Sequence, residues 1–195
     1  MRTRTTAAAA LIAAGLLLTV TACGTEPEPD APAAGPKPTK SAPLPSPTPT
    51  PTEDAPLAFG ETVTVRNKDE GTEATVAVVS YKQGIKAEVA ADEEFGTDGY
   101  VWATLELKLC STKGTSGATR YPWALAYSDG ARIEPSGVTY GDFPKPEYPY
   151  EAMVKQGDCI RGKTMFAVPG DQRPERVLYT TELFDTPPEW SVPKS

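Results

Sequence analysis

From Tyr100 to Cys110 the chain places Val101, Ala103, Leu105, Leu107 and Leu109 at every second position, with polar or amphipathic residues between them. A period of two sends alternate side chains to opposite faces of a strand, so this segment predicts a β-strand with one buried and one wet face. Residues 159–168 repeat the pattern: Ile160, Gly162, Thr164, Phe166 and Val168 share one face and Arg161 and Lys163 the other, with Pro169-Gly170 ending the run. Shorter alternations predict strands over Glu61–Arg66, Thr75–Lys82 and Trp123–Tyr127. The last runs through the hairpin-type turn Ser128-Asp129-Gly130 into Ala131–Glu134. Arg176–Thr181 reads as the final strand. No window of twelve or more residues after residue 57 has helical periodicity. Short strands divided by turn residues predict an all-β domain, a sandwich of about seven strands.

The N-terminal third has a different grammar. Met1-Arg2-Thr3-Arg4 is basic, Ala7–Ala22 is apolar, and Val20-Thr21-Ala22-Cys23-Gly24 follows. The basic and apolar parts read as a signal peptide over 1–22. The last part resembles the lipobox of bacterial lipoproteins, which implies a diacylglyceryl thioether on Cys23 (palmitate among its acyl chains) and cleavage before it. Two acyl chains hold a bilayer firmly where one does not. The alternative is an uncleaved anchor, but the apolar run has 16 residues, short of the ~20 a spanning helix needs. There is no twin-arginine pair, which favours the general secretory route.

Residues 24–56 carry 11 prolines in 33 positions, almost alternating over Pro43–Thr52. Proline fixes φ and removes a donor, so this stretch reads as an extended, disordered tether from the lipidated Cys23 to a domain over 57–195. Ser46, Thr48, Thr50 and Thr52 are candidate sugar acceptors. The predicted location is the outer face of the cell membrane, with the membrane as a partner through the lipid.

Charge and composition narrow the chemistry. Loss of Arg2 and Arg4 leaves 17 basic against 26 acidic side chains, a balance that argues against nucleic acid. The chain has no histidine, which removes His triads and His-liganded zinc. Cys110 and Cys159 remain in the domain, and two cysteines in an exported domain predict a disulfide. Both share parity with the polar face of their strands, which places the bond near a sheet rim.

Ordered along the chain, Gly60-Glu61-Thr62-Val63-Thr64-Val65, Tyr100–Leu107, Tyr127-Ser128-Asp129-Gly130 and Gly157-Asp158-Cys159-Ile160-Arg161-Gly162-Lys163-Thr164-Met165-Phe166-Ala167-Val168-Pro169 resemble a family. It comprises the immunoglobulin-like extracellular domains of unknown function in lipoproteins of Gram-positive bacteria, related in fold to the mycobacterial immunoprotective extracellular protein. The resemblance covers residues 59–181 and implies a fold and a location but no reaction. It departs at Cys110, where the family usually carries asparagine, so the disulfide is an addition in this branch.

Catalytic chemistry finds no footing: the one Ser-x-x-Lys, Ser191–Lys194, lies in the last five residues and reads as a frayed tail. No cofactor is expected. Asp92-Glu93-Glu94 with Asp98-Gly99 has the oxygen chemistry of calcium sites but no EF-hand spacing, and is expected to be a solvated acidic loop without a metal. The segment Tyr140-Gly141-Asp142-Phe143-Pro144-Lys145-Pro146-Glu147-Tyr148-Pro149-Tyr150 holds four aromatics and three prolines. Rigid aromatics on a loop suit a binding face for protein, peptide or cell-wall glycan, and Tyr140, Phe143, Tyr148 and Tyr150 are the candidate contacts; the alternative is a cover over a sheet edge. The leading function is therefore a surface-tethered binding or adaptor domain. A structural envelope lipoprotein or sensor accessory comes second and a hydrolase a distant third.

Overall fold

A computed structural model describes residues 55–194. The signal peptide, Cys23 and the tether through residue 54 lie outside the described residues. Ten strands and one helical turn follow in order: β1 Thr62–Asn67, β2 Thr72–Ile85, α1 Ala91–Phe95, β3 Tyr100–Lys113, β4 Ser116–Thr119, β5 Trp123–Ala126, β6 Arg132–Ile133, β7 Glu151–Val154, β8 Cys159–Pro169, β9 Arg176–Tyr179 and β10 Glu189–Ser191. One antiparallel sheet has the order β1-β2-β3-β8, a second β10-β9-β5-β6, and β4 and β7 form a separate two-stranded ribbon. The two large sheets pack face to face as an immunoglobulin-like β-sandwich.

The alternation of β3 and β8 builds the interior. Ala103, Leu105, Leu107, Leu109, Phe166 and Val168 meet Trp123, Leu125, Val177, Tyr179 and Trp190 in one buried cluster. Burial of a side chain of this size contributes roughly 1.5–3 kcal/mol. The predicted wet face of β3 is wet only at one end. Trp102 and Met165, on the outer side, are buried with Ala91 and Phe143 in a second, smaller cluster, because α1 and the loop after β6 lie over that end of the sheet. The indole Nε1–H of Trp102 donates to the Val89 carbonyl at 2.8 Å.

Three expectations change. About seven strands become ten, because β4, β7 and β10 are too short to show a period. Arg176–Thr181 is not the last strand: β10 follows it, and its Trp190 is fully buried, packs tilted with its ring centre 5.6 Å from that of Trp123 and donates to the Glu61 carbonyl at 3.0 Å. The C-terminal Ser191-x-x-Lys194 is not a frayed tail. Ser191 N–H donates to the Leu57 carbonyl and Val192 N–H to that of Glu175, each at 2.8 Å.

Cys110 and Cys159 are joined by a disulfide with Cα atoms 4.0 Å apart. They are direct register partners at one end of the β3–β8 ladder, in agreement with the rim position predicted from parity.

Candidate binding surface

The proline-aromatic loop is built by two different devices. In its first half Tyr140 and Phe143 close a turn, with Phe143 N–H on the Tyr140 carbonyl at 3.2 Å. Their rings meet edge-on at 5.3 Å, and Phe143 meets Trp102 edge-on at 5.0 Å. The half-buried Tyr140 donates its hydroxyl to the Glu94 carboxylate, and that bond raises its phenol pKa. Phe143 itself is 3% exposed.

In its second half the loop becomes a strap along the free edge of β8. Glu147 pairs with Lys163 in a parallel bridge. Lys163 N–H donates to the Pro146 carbonyl and Tyr148 N–H to the Lys163 carbonyl, both at 2.8 Å. An open strand edge is a template for unwanted pairing, and such a strap caps it. The strap comes this close because residue 162 is glycine: a Cβ there would stand 2.5 Å from the backbone carbon of Glu147 and nitrogen of Tyr148. Tyr148 then points inward and is 1% exposed, and burial pushes its phenol pKa far up.

The candidate contacts are therefore corrected. Phe143 and Tyr148 are core side chains, since the apolar outer end of the sheet and the β8 edge both need covering. Tyr140 packs on Phe143 and keeps only part of its surface. Tyr150 alone of the four is exposed, at 39%. Sequence patterning could not separate these roles, because a proline-rich loop has no period that tells one ring's direction from another's.

Tyr150 lies at the foot of the β4–β7 ribbon, held by a residue that sequence reading passed over. Arg120, directly after β4, is a buried guanidinium. Its Nε–H donates to the Tyr148 carbonyl at 2.6 Å, one terminal nitrogen stands 3.4 Å from Glu147 Oε2, and its carbon lies 3.9 Å from the centre of the Tyr150 ring. Tyr150 donates its hydroxyl to the Gly137 carbonyl at 2.8 Å. Arg120 thus ties strap, ring and ribbon together, by hydrogen bond, charge and cation–π contact.

The ribbon's outer face is the exposed part. The register sets Gly117 opposite Met153 and Thr119 opposite Glu151. Met153 is 66% exposed and Tyr121, just past β4, is 79% exposed. With Tyr150 they are three of the five large apolar side chains left exposed among the described residues, the others being Phe95 and Leu183. Met153 lies in the ribbon itself, and Tyr121 and Tyr150 flank its two strands.

Glu147 gives the clamp a pH dependence. Hydrogen bonds from Lys145, Thr139 and Arg120 outweigh partial burial and hold its carboxyl below the usual carboxylate range. A lowered native pKa means that the stabilisation is complete above the ordinary carboxylate range and is lost as pH falls through the native value. The wild-type Tm is therefore expected to exceed that of Glu147→Gln at neutral pH, with the gap closing on acidification. A gap that stays constant with pH would contradict the assignment.

Among the described residues no group of three or more His, Cys, Asp or Glu side chains is placed to hold a metal ion. Asp92, Glu93 and Glu94 lie in the single turn of α1.

No protein-family model matches the chain, and no curated protein matches it. Among solved structures it is similar to MPT63, a secreted protein from Mycobacterium tuberculosis. The TM-score is 0.54 at 16% identity, covering 71% of this chain and 99% of that one. At that identity the likeness speaks for the fold, and it fits the relation to the mycobacterial protein expected from the sequence.

Proposed function

We propose that the chain is a surface lipoprotein whose Cys23 carries the diacylglyceryl anchor, whose residues 24–56 are the tether, and whose β-sandwich is a non-enzymatic binding or adaptor domain. Its contact face is the outer side of the β4–β7 ribbon around Tyr121 and Met153, with Tyr150 at the margin. The partner is an envelope protein or peptide, or a cell-wall glycan. The observation that carries this reading is that three of the five large apolar side chains exposed among the described residues lie in or directly beside a ribbon that the buried Arg120 ties to the strap. An apolar cluster set on a rigid element suits recognition with little ordering cost. The lipobox residues Val20-Thr21-Ala22-Cys23 and the resemblance to Gram-positive lipoprotein domains support the location.

The test uses the full chain in cells. A photo-cross-linking residue at position 121 or 153 is expected to capture the same adduct, absent when the probe replaces Lys68 in the β1–β2 turn. Equal capture from all three positions, or none from the ribbon, counts against this face. Cys23→Ala is expected to abolish the acyl mass and leave an uncleaved precursor; normal processing of that variant would remove the anchor from the account.

A further inference from the structure

We propose that the Cys110–Cys159 bond is a thiol-exchange site for an exported dithiol, with the Cys159 sulfur as the atom attacked in the folded domain. Three observations carry this. The first is access: the pair ends the β3–β8 ladder, and Cys159 is exposed while Cys110 is half-buried. It lies at the opposite end of β3 from Trp102 and the cover that buries it.

The second is independence from the bond. Ten further residue pairs, Tyr100↔Pro169 to Leu109↔Ile160, hold β3 and β8 in register without interruption. The disulfide can open without the strands separating.

The third is charge. The next pair on the same face is Lys108↔Arg161, two cations directly opposite each other, an arrangement that is unfavourable in a sheet. Arg161 is offset by Glu106, 2.9 Å from its Nε, whereas Lys108 has no ion pair among the described residues. Thr75 of β2 faces Cys110 and is neutral; Asp158, the nearest acid in sequence, precedes Cys159. Cations beside a disulfide favour both the incoming and the departing thiolate.

A thiolate of the dithiol bonds to Cys159 Sγ, the Cys110–Cys159 bond breaks, and Cys110 leaves as a thiolate that takes a proton from water. The second thiol of the reductant then attacks its own sulfur in the mixed disulfide and releases Cys159 as a thiol. Two electrons and two protons pass to the cysteine pair, and the dithiol becomes a cyclic disulfide.

The test is reduction of the oxidised full chain at neutral pH without denaturant, by glutathione (net negative) and by cysteamine (net positive) at matched thiolate concentrations. The rate is expected to rise in proportion to reductant, and the trapped adduct to lie on Cys159. Joint replacement by Lys108→Gln and Arg161→Gln is expected to lower the glutathione-to-cysteamine rate ratio, on the order of tenfold. Circular dichroism confirms that this variant is folded, and Lys108→Gln alone gives a smaller shift in the same direction. A rate independent of reductant concentration would mean that the bond opens only on unfolding and would overturn the proposal. An adduct on Cys110, or a ratio unmoved by the substitutions, would overturn the assigned atom or the role of the cations.

Discussion

Gly162→Ala is expected to destabilise the domain by about 3 kcal/mol, the upper end of the usual cost of overpacking. The added methyl would meet the Glu147–Tyr148 peptide at 2.5 Å, and a peptide cannot rotate away as a flexible side chain can. Either β8 bends or the strap lifts. Lifting it breaks the two hydrogen bonds between Lys163 and the strap and pulls Tyr148 from the main core. For a domain of this size the loss lowers Tm by roughly 10 °C. Thermal unfolding measures the magnitude, and hydrogen exchange at the Lys163 and Tyr148 amides reports whether the strap has moved. A variant within about 2 °C of wild type, with both amides still protected, would mean that the strap does not rest on β8 as described.

Phe143→Ala is expected to cost about 3 kcal/mol, the low end for a buried phenylalanine because the smaller cluster lies near the surface. Phe143 closes the cover over Trp102, and its removal admits water to the outer face of the sheet. The emission of Trp102 should shift to the red along with the fall in Tm. Tyr150→Ala, by contrast, removes one exposed ring, its contact with Arg120 and one hydrogen bond, and is expected to cost about 1 kcal/mol. Chemical denaturation of the two variants separates them. Equal, small losses would return Phe143 to the surface and restore the loop as the candidate binding face.

What the sequence reveals depends on how far a period persists. β3 and β8 are legible because their alternation runs over ten residues or more, and cysteine parity alone places the disulfide on the outer face near a sheet end. The outer burial of Trp102 is not legible, since its cover comes from α1 and the loop around Phe143, neither of which has a period. Trp190 is hidden in a three-residue strand between prolines. Gly162 reads as one more small residue in an alternating strand, and its role appears only when the strap is seen crossing it. Arg120 shows the same limit from the other side: an arginine beside a tyrosine reads as surface, and only the fold turns it inward beneath Tyr150. The aromatic loop was rich in suggestive residue types, but residue type does not fix direction. Three of its four rings serve packing, while the exposed apolar side chains Tyr121 and Met153 lie in segments with no distinguishing motif.

Labour is thus divided, with Phe143 and Tyr148 covering the sandwich and Tyr121 and Met153 facing outward. Hydroxyl-radical footprinting of the folded chain, read residue by residue by mass spectrometry, separates the two groups. Rapid oxidation is expected at Tyr121 and Met153, intermediate oxidation at Tyr150, and protection of Phe143 and Tyr148 until the domain unfolds. Oxidation of Phe143 and Tyr148 in the native state at the rate of Tyr121 would contradict it.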